Sequence, residues 1–176
     1  MSNISSDNKT AGLVYTALMI CLVLLGTVLF RIPVPMTQGY VHLGDTMIYL
    51  GVLMLGRRRG AAAAGLGSAL ADILGGFAFW APWTLVIKYL MGFVTGLIIE
   101  KAAGSDKNRL IRPAAMVAGG ILMCAGYLAA ETVMYGSFAA AAVGLPWNIG
   151  QFAVGIILST AIYSVLRKLP ADPKTR

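Results

Sequence analysis

Apolar residues run along this chain in long blocks, separated by short polar or Gly- and Pro-rich joints. A helix needs about 20 mostly apolar residues, within a range of about 17–25, to cross the hydrocarbon core of a bilayer. Six blocks are candidate helices: residues 11–30, 44–56, 61–79, 84–99, 113–135 and 146–166. The second is short for a crossing and reads as a tilted or protein-buried helix. Pro33, Pro35 and Gly39 mark 31–43 as a loop. Arg57, Arg58 and Arg59 close the second block, and Trp80, Ala81, Pro82 and Trp83 make an aromatic turn. A polar stretch, 100–112, precedes the fifth block, and a small-residue connection, 136–145, follows it. Pro146 suits the first turn of the sixth helix.

Composition agrees with a bilayer as solvent. Of 176 residues, 58% are hydrophobic and only 12% charged. Soluble domains carry about a quarter charged residues, and this chain has too few to coat a water-facing surface. The net charge of +7 does not form a nucleic-acid patch, because the basic residues fall in short clusters between apolar runs. The polar first ten residues lack the basic start of a signal peptide, so the first block is expected to be a retained helix. Cys21 and Cys124 lie in apolar stretches without metal-ligand spacing and are expected to be small buried fillers.

Lys and Arg decide the orientation, because cytoplasmic loops carry them in excess. One side collects Lys9, Arg57, Arg58, Arg59, Lys101, Lys107, Arg109, Arg112, Arg167, Lys168, Lys174 and Arg176; the other holds only Arg31. Both termini are therefore expected in the cytoplasm, which requires an even number of crossings. Trp80, Trp83 and Trp147 on the opposite side suit an interfacial belt. The expected fold is all-α: one integral membrane domain over 1–176, a six-helix bundle with cytoplasmic N and C termini.

Small residues recur at three- and four-residue spacing along Ala61, Gly65, Ala69, Asp72 and Gly76, and Gly92 and Gly96 form a GxxxG pair. Such faces let helix backbones approach closely in lipid, so tight packing is their expected role.

Several polar residues lie where lipid should be. Lys88 sits about one turn inside the fourth block and Asp72 deep in the third. Glu131 lies in the fifth, flanked by Tyr127 and Tyr135 at four-residue spacing; Asn148 and Gln151 share a face of the sixth with Gly155. An ionisable group at membrane depth costs at least about 2.5 kcal/mol and persists when paired, hydrated or used. Glu131, Lys88 and Asp72 fall at similar depth toward the outer half, which suggests one polar cavity open to the outside. The plainer alternative is a buried ion pair of Lys88 with Asp72 or Glu131 that fixes helix register. Asp45 opens the second helix and is placed as an N-cap or first-turn residue. His42 has no partner His or Cys at ligand spacing, so no metal site is expected.

In this order of features the chain resembles the substrate-binding S components of energy-coupling factor (ECF) vitamin transporters. The resemblance rests on His42-Leu43-Gly44-Asp45 after a Pro-rich loop, Ala71-Asp72 with Gly75-Gly76, and Pro82 followed by Lys88 and Gly92. Ala130-Glu131 and Pro146-Trp147-Asn148 with Gln151 complete it, over about Ala11 to Leu166. It is closest to the subgroup for riboflavin, pyridoxine or hydroxymethylpyrimidine. The resemblance implies a six-helix bundle in the prokaryotic plasma membrane, with a vitamin cavity near its outer face. It implies Asp72, Lys88, Glu131, Asn148 and Gln151 as polar ligand contacts, and Trp80, Tyr127 and Trp147 as ring-stacking groups. Gln38, His42 and Asp45 would close over the ligand. It further implies a membrane T component and two ATPase subunits as partners, with ATP used by them; no G-x-x-x-x-G-K-[ST] run occurs here. A small-xxx-small face of the first helix would dock the T component, through Gly12 and Thr16 or Ala17 and Cys21.

Three other functions compete. An intramembrane enzyme would show clustered acids or paired His, and this chain has one His and scattered acids. A self-sufficient proton-coupled carrier could use Glu131. A structural subunit would use the polar residues only to lock helices.

Overall fold

A computed structural model of the chain describes residues 3–34, 40–102 and 108–168. The elements are α1 (Asn3–Val28), β1 (Arg31–Pro33), β2 (Tyr40–His42), α2 (Gly44–Leu74), α3 (Ala81–Lys101), α4 (Asn108–Tyr135), α5 (Phe138–Ala142) and α6 (Leu145–Leu166). The fold is thus mostly helical, and among the described residues four segments are long and apolar enough to cross a membrane: Lys9–Val28, Ala81–Lys101, Leu110–Tyr135 and Phe138–Leu166.

The blocks 44–56 and 61–79 are not separated by an arginine loop. Both belong to α2, which breaks at Gly56 alone (φ 76°, ψ −179°), a backbone region essentially reserved for glycine. The chain doubles back there: a side chain on Gly60 would meet the Cα of Val52 at 2.6 Å. Arg57, Arg58 and Arg59 are therefore the first residues of the second arm rather than a linker. That arm ends at Leu74, not Phe79, because Gly75 caps it and Gly76 takes φ +84°. The proline-marked loop contains a two-stranded antiparallel ribbon, with Arg31 opposite His42 and Pro33 opposite Tyr40. Strands of three residues are too short to leave a periodic signature. α1 and α4 begin earlier than their apolar blocks, since polar first turns can extend into the headgroup region. The small-residue connection holds the one-turn α5, capped by the Ser137 side chain accepting from Ala140 N.

α2 packs chiefly on α3 and α1. The small-residue face performs as expected: side chains at Gly65, Gly92 and Gly96 would meet Leu85 O at 2.8 Å, Ala61 Cα at 3.1 Å and Arg57 Cα at 2.6 Å. Close backbone approach of this kind supplies the dispersion contacts that hold helices together where lipid is as apolar as leucine. Outer faces are apolar, with Leu13, Leu18, Leu110, Val133 and Ile157 exposed. Cys124 is a buried filler, but Cys21 faces outward on α1. Lys88, Asp45 and Thr95 are completely enclosed, so polarity rises toward the interior, the reverse of a soluble domain.

Candidate functional site

The ribbon closes one end of the bundle over a cavity of about 40 Å³, room for a few waters. Its anchor is Arg31, which donates to the carbonyls of Gly75 (3.2 Å) and Ala71 (3.3 Å) at the end of α2. A cation suits carbonyls at the negative end of the helix dipole. The guanidinium also stacks over Tyr40 at 4.2 Å and Phe77 at 5.1 Å. The lone basic residue of its side thus fastens the ribbon to the helix.

Two hydrogen bonds bring the ribbon onto the cavity. The Tyr40 hydroxyl donates to Oδ1 of Asp72, and the His42 backbone N–H donates to Gln151 Oε1 at 3.0 Å. Burial, and then the Asp72 charge, raise the pKa of Tyr40, so its phenol keeps its proton. His42 is buried and its Nδ1 accepts from Gly44 N at 3.0 Å. Burial, and then the charge of Lys88, lower the His42 pKa to about 3, so the imidazole is neutral.

Beneath the cavity lies a polar knot. Lys88 Nζ meets Asp45 Oδ1 at 2.5 Å, with both side chains 0% exposed. Gln151 Nε2 donates to Asp45 Oδ2 at 2.9 Å, and Lys88 also reaches Met123 Sδ at 2.9 Å. The ring of Tyr127 adds a cation–π contact to Lys88 at 5.6 Å. Asp45 is the expected first-turn residue of α2 rather than its N-cap: Leu43 holds the N-cap position without a side-chain cap bond, and the Asp45 carboxylate turns inward to the lysine. Nor does Lys88 pair with Asp72 or Glu131. It and Asp45 lie outside the cavity wall, because the knot has drawn both of them below it.

The wall contains Asp72, Glu131, Trp80, Tyr127, Asn148 and Gln151, with His42 at its edge. Trp80 and Tyr127 meet edge to face at 6.2 Å, and the Tyr127 hydroxyl donates to Thr84 at 3.3 Å. Asp72 is 3% exposed and Glu131 6%; Thr84 joins Tyr40 as a hydroxyl beside the Asp72 carboxyl, whereas among the described residues Oε2 of Glu131 has no hydrogen-bond partner. Trp147 does not join the other rings. It is 43% exposed and lines a separate apolar groove of about 390 Å³ between the ribbon and α6. One residue further along α6, the 100° step of a helix turns Asn148 inward and leaves Trp147 out. Gln38 falls outside the described residues.

Tyr40, Ser68 and Thr84 also line the cavity and were not singled out from the sequence. Two were within reach of helical spacing: Ser68 precedes Asp72 by four residues, and Thr84 precedes Lys88 by four. Tyr40 lies two before His42, the spacing of one strand face. Among the described residues no three His, Cys, Asp or Glu are grouped to hold a metal.

Comparison with known proteins agrees with this architecture. The family described as "ECF-type riboflavin transporter, S component" matches residues 7–168. An uncharacterized protein of Pyrococcus woesei is 38% identical over 142 residues, 81% of this chain and 92% of that protein. The thiamine precursor transporter HmpT of Lactococcus lactis is 28% identical over 141 residues, 80% of this chain and 78% of the relative. The solved S component of a bacterial ECF transporter superposes with a TM-score of 0.70 over 90% of this chain and 96% of that one; at 16% identity, the likeness is one of fold. With its apolar crossing helices, its ribbon-capped cavity and a family match over nearly its whole length, the chain belongs to the ECF-type riboflavin transporter S component family, a family of multi-pass membrane proteins of vitamin uptake.

Proposed function

We propose that this chain is the vitamin-binding subunit of an ATP-driven ECF importer. It takes up a small water-soluble vitamin or precursor, a heteroaromatic of the pyridoxine or hydroxymethylpyrimidine kind, in the ribbon-capped cavity. It catalyses no reaction and holds no cofactor of its own; ATP is used by two ATPase subunits, coupled through a membrane T component. The two arms of α2 each cross or enter the bilayer, giving six crossings with both termini cytoplasmic and the ribbon outside.

The observation that carries this reading is a cavity with aromatic walls and a few placed polar groups, the usual make-up of a small-ligand site, under a lid held by two side-chain bonds. At about 40 Å³ the closed cavity is too tight for a ring, so the ribbon parts from Asp72 and Gln151 to admit one. Thermal unfolding of the purified chain against a panel of vitamins and precursors tests the reading. A bound compound at about 100 times Kd should add roughly 2.7 kcal/mol, and Trp80→Ala should remove that gain. A folded protein that responds to no compound would leave the reading without support.

A second reading, a self-sufficient proton-coupled carrier, draws on Glu131, an acid on the cavity wall whose Oε2 has no hydrogen-bond partner among the described residues. Uptake by vesicles holding this chain alone, driven by a proton gradient, would favour it; dependence on the ATPases would favour the first.

A further inference from the structure

We infer that one acyl chain of a bilayer phospholipid occupies the apolar groove between the ribbon and α6, and that it holds the ribbon down on the cavity. The inference stands on the membrane setting of the fold, whatever compound the cavity takes. The groove measures about 390 Å³, against about 40 Å³ for the closed cavity. The end of α1 and the ribbon contribute Leu29, Ile32 and Val41 to its wall, and α6 contributes Trp147, Gly150 and Val154. Lys9–Val28 and Phe138–Leu166 are both long and apolar enough to cross a membrane. The groove therefore lies at the bilayer boundary, where the first of these segments ends and α6 begins. It is continuous with the lipid-facing surface, since Leu29, Ile32, Trp147 and Val154 are all exposed.

The polar side chains on its wall are engaged elsewhere. Arg31 donates to the carbonyls of Gly75 and Ala71. Gln151 accepts from the His42 N–H and donates to Asp45. A soluble polar ligand would find few groups to bond there, whereas hydrocarbon needs none. Atoms lining an empty groove lose their dispersion contacts on one side, and a bilayer offers flexible chains at that depth to restore them. The groove also shares His42 and Gln151 with the cavity, and these two are joined by the 3.0 Å bond that brings the ribbon onto it. A chain seated in the groove keeps water from that bond. A hydrogen bond in a low-dielectric setting is stronger than one in water, so lipid in the groove favours the closed ribbon.

Gly150 supplies the test. A side chain there would meet no atom within 4 Å, so it would grow into the groove without displacing its neighbours. Gly150→Phe is compared, in the full chain, with Val133→Phe, an exposed position on α4 that lines neither groove nor cavity. Each protein is purified in mild detergent, bound phospholipid is counted by native mass spectrometry, and dioleoylphosphatidylcholine is added back as the probe. Wild type and Val133→Phe should retain one phospholipid per chain, and the added lipid should slow amide hydrogen exchange at His42. Gly150→Phe should lose both the retained phospholipid and the His42 response. Replacing a helical glycine stabilises by itself, so the response to lipid is the readout rather than the melting temperature. Gly150→Leu, a smaller filler, takes its place if the phenylalanine variant does not fold. Equal retention by folded Gly150→Phe overturns the inference and makes the lipid a general coat of the bundle. No retained phospholipid in folded wild type overturns it as well, and a wild-type dimer broken by Gly150→Phe would give the groove to a second copy of the chain. Retention lost in Gly150→Phe with His42 exchange indifferent to lipid in wild type overturns the link to the ribbon. Each of these results leaves the vitamin-binding reading standing, because none depends on a compound in the cavity.

Discussion

Asp45 and Glu131 are both acids enclosed within one helix bundle, at 0% and 6% exposure, and their surroundings could hardly differ more. Asp45 has a lysine on one oxygen and an amide on the other. Through them it joins the first arm of α2 to α3 and to the start of α6. Glu131 has room on one side, and among the described residues its Oε2 has no partner. A charge inside a membrane protein is kept where it is compensated or where it is needed. Asp45 meets the first condition, and under the proposed function Glu131 would meet the second. Burial alone does not separate these two acids, whereas the count of satisfied oxygens does.

Breaking the compensated pair should have the largest effect. Lys88→Met removes the partner and leaves Asp45 enclosed and unpaired, a change that costs about 3–5 kcal/mol. Unfolding of the variant in detergent should show that loss, and Lys88→Met with Asp45→Leu together should recover most of it. If Lys88→Met instead keeps full stability and loses only ligand binding, Lys88 belongs to the cavity and the contrast with Glu131 disappears.

The same contrast marks what could be read from the residues alone. Apolar blocks and basic clusters located the helices, since length and charge act locally. The small faces at Gly65, Gly92 and Gly96 also announced close packing correctly. Asp72, Glu131, Asn148 and Gln151 were legible as inward polar groups, and all four line the cavity. The partner of Lys88 was not legible. It lies 43 residues away, the partners weighed for it were Asp72 and Glu131, and helical spacing orders residues on one helix without ranking contacts between helices. The Gly56 reversal was hidden as well: one glycine does the work of a loop, so the arginines beside it looked like one. The ring-stacking place that the resemblance implied for Trp147 was missed because, at the start of α6, one residue decides between inside and outside.

The ribbon that separates the two acids from water should respond to pH through His42. Its folded pKa, about 3, lies below the ordinary 6.5. The open or unfolded state therefore takes up a proton first as pH falls. Stability from this residue is fully present above about pH 7 and declines between about 6.5 and 3, by at most about 1.4 kcal/mol per pH unit. Lys88, Asp45 and Arg31 are the charges that act on it. Thermal stability measured from pH 8 to 5 should fall less in His42→Asn, whose amide oxygen can still accept from Gly44 N. Parallel curves for the two proteins would place the acid sensitivity elsewhere.

The smallest effect on stability should come from the uncompensated acid. Glu131→Gln keeps the shape of the side chain and drops the charge from a place where nothing offsets it. Removing an orphaned charge does not break a pair, so the penalty of the Lys88 variant has no counterpart here. Unfolding at pH 8 should be unchanged or raised by up to about 1–3 kcal/mol, the desolvation cost of an unmatched polar group. A stabilised variant that has lost its ligand would identify Glu131 as a group held against stability for the sake of binding. A destabilisation as large as that of Lys88→Met would show instead that Glu131 has a partner in the folded protein, and the two acids would then be two knots of the same kind.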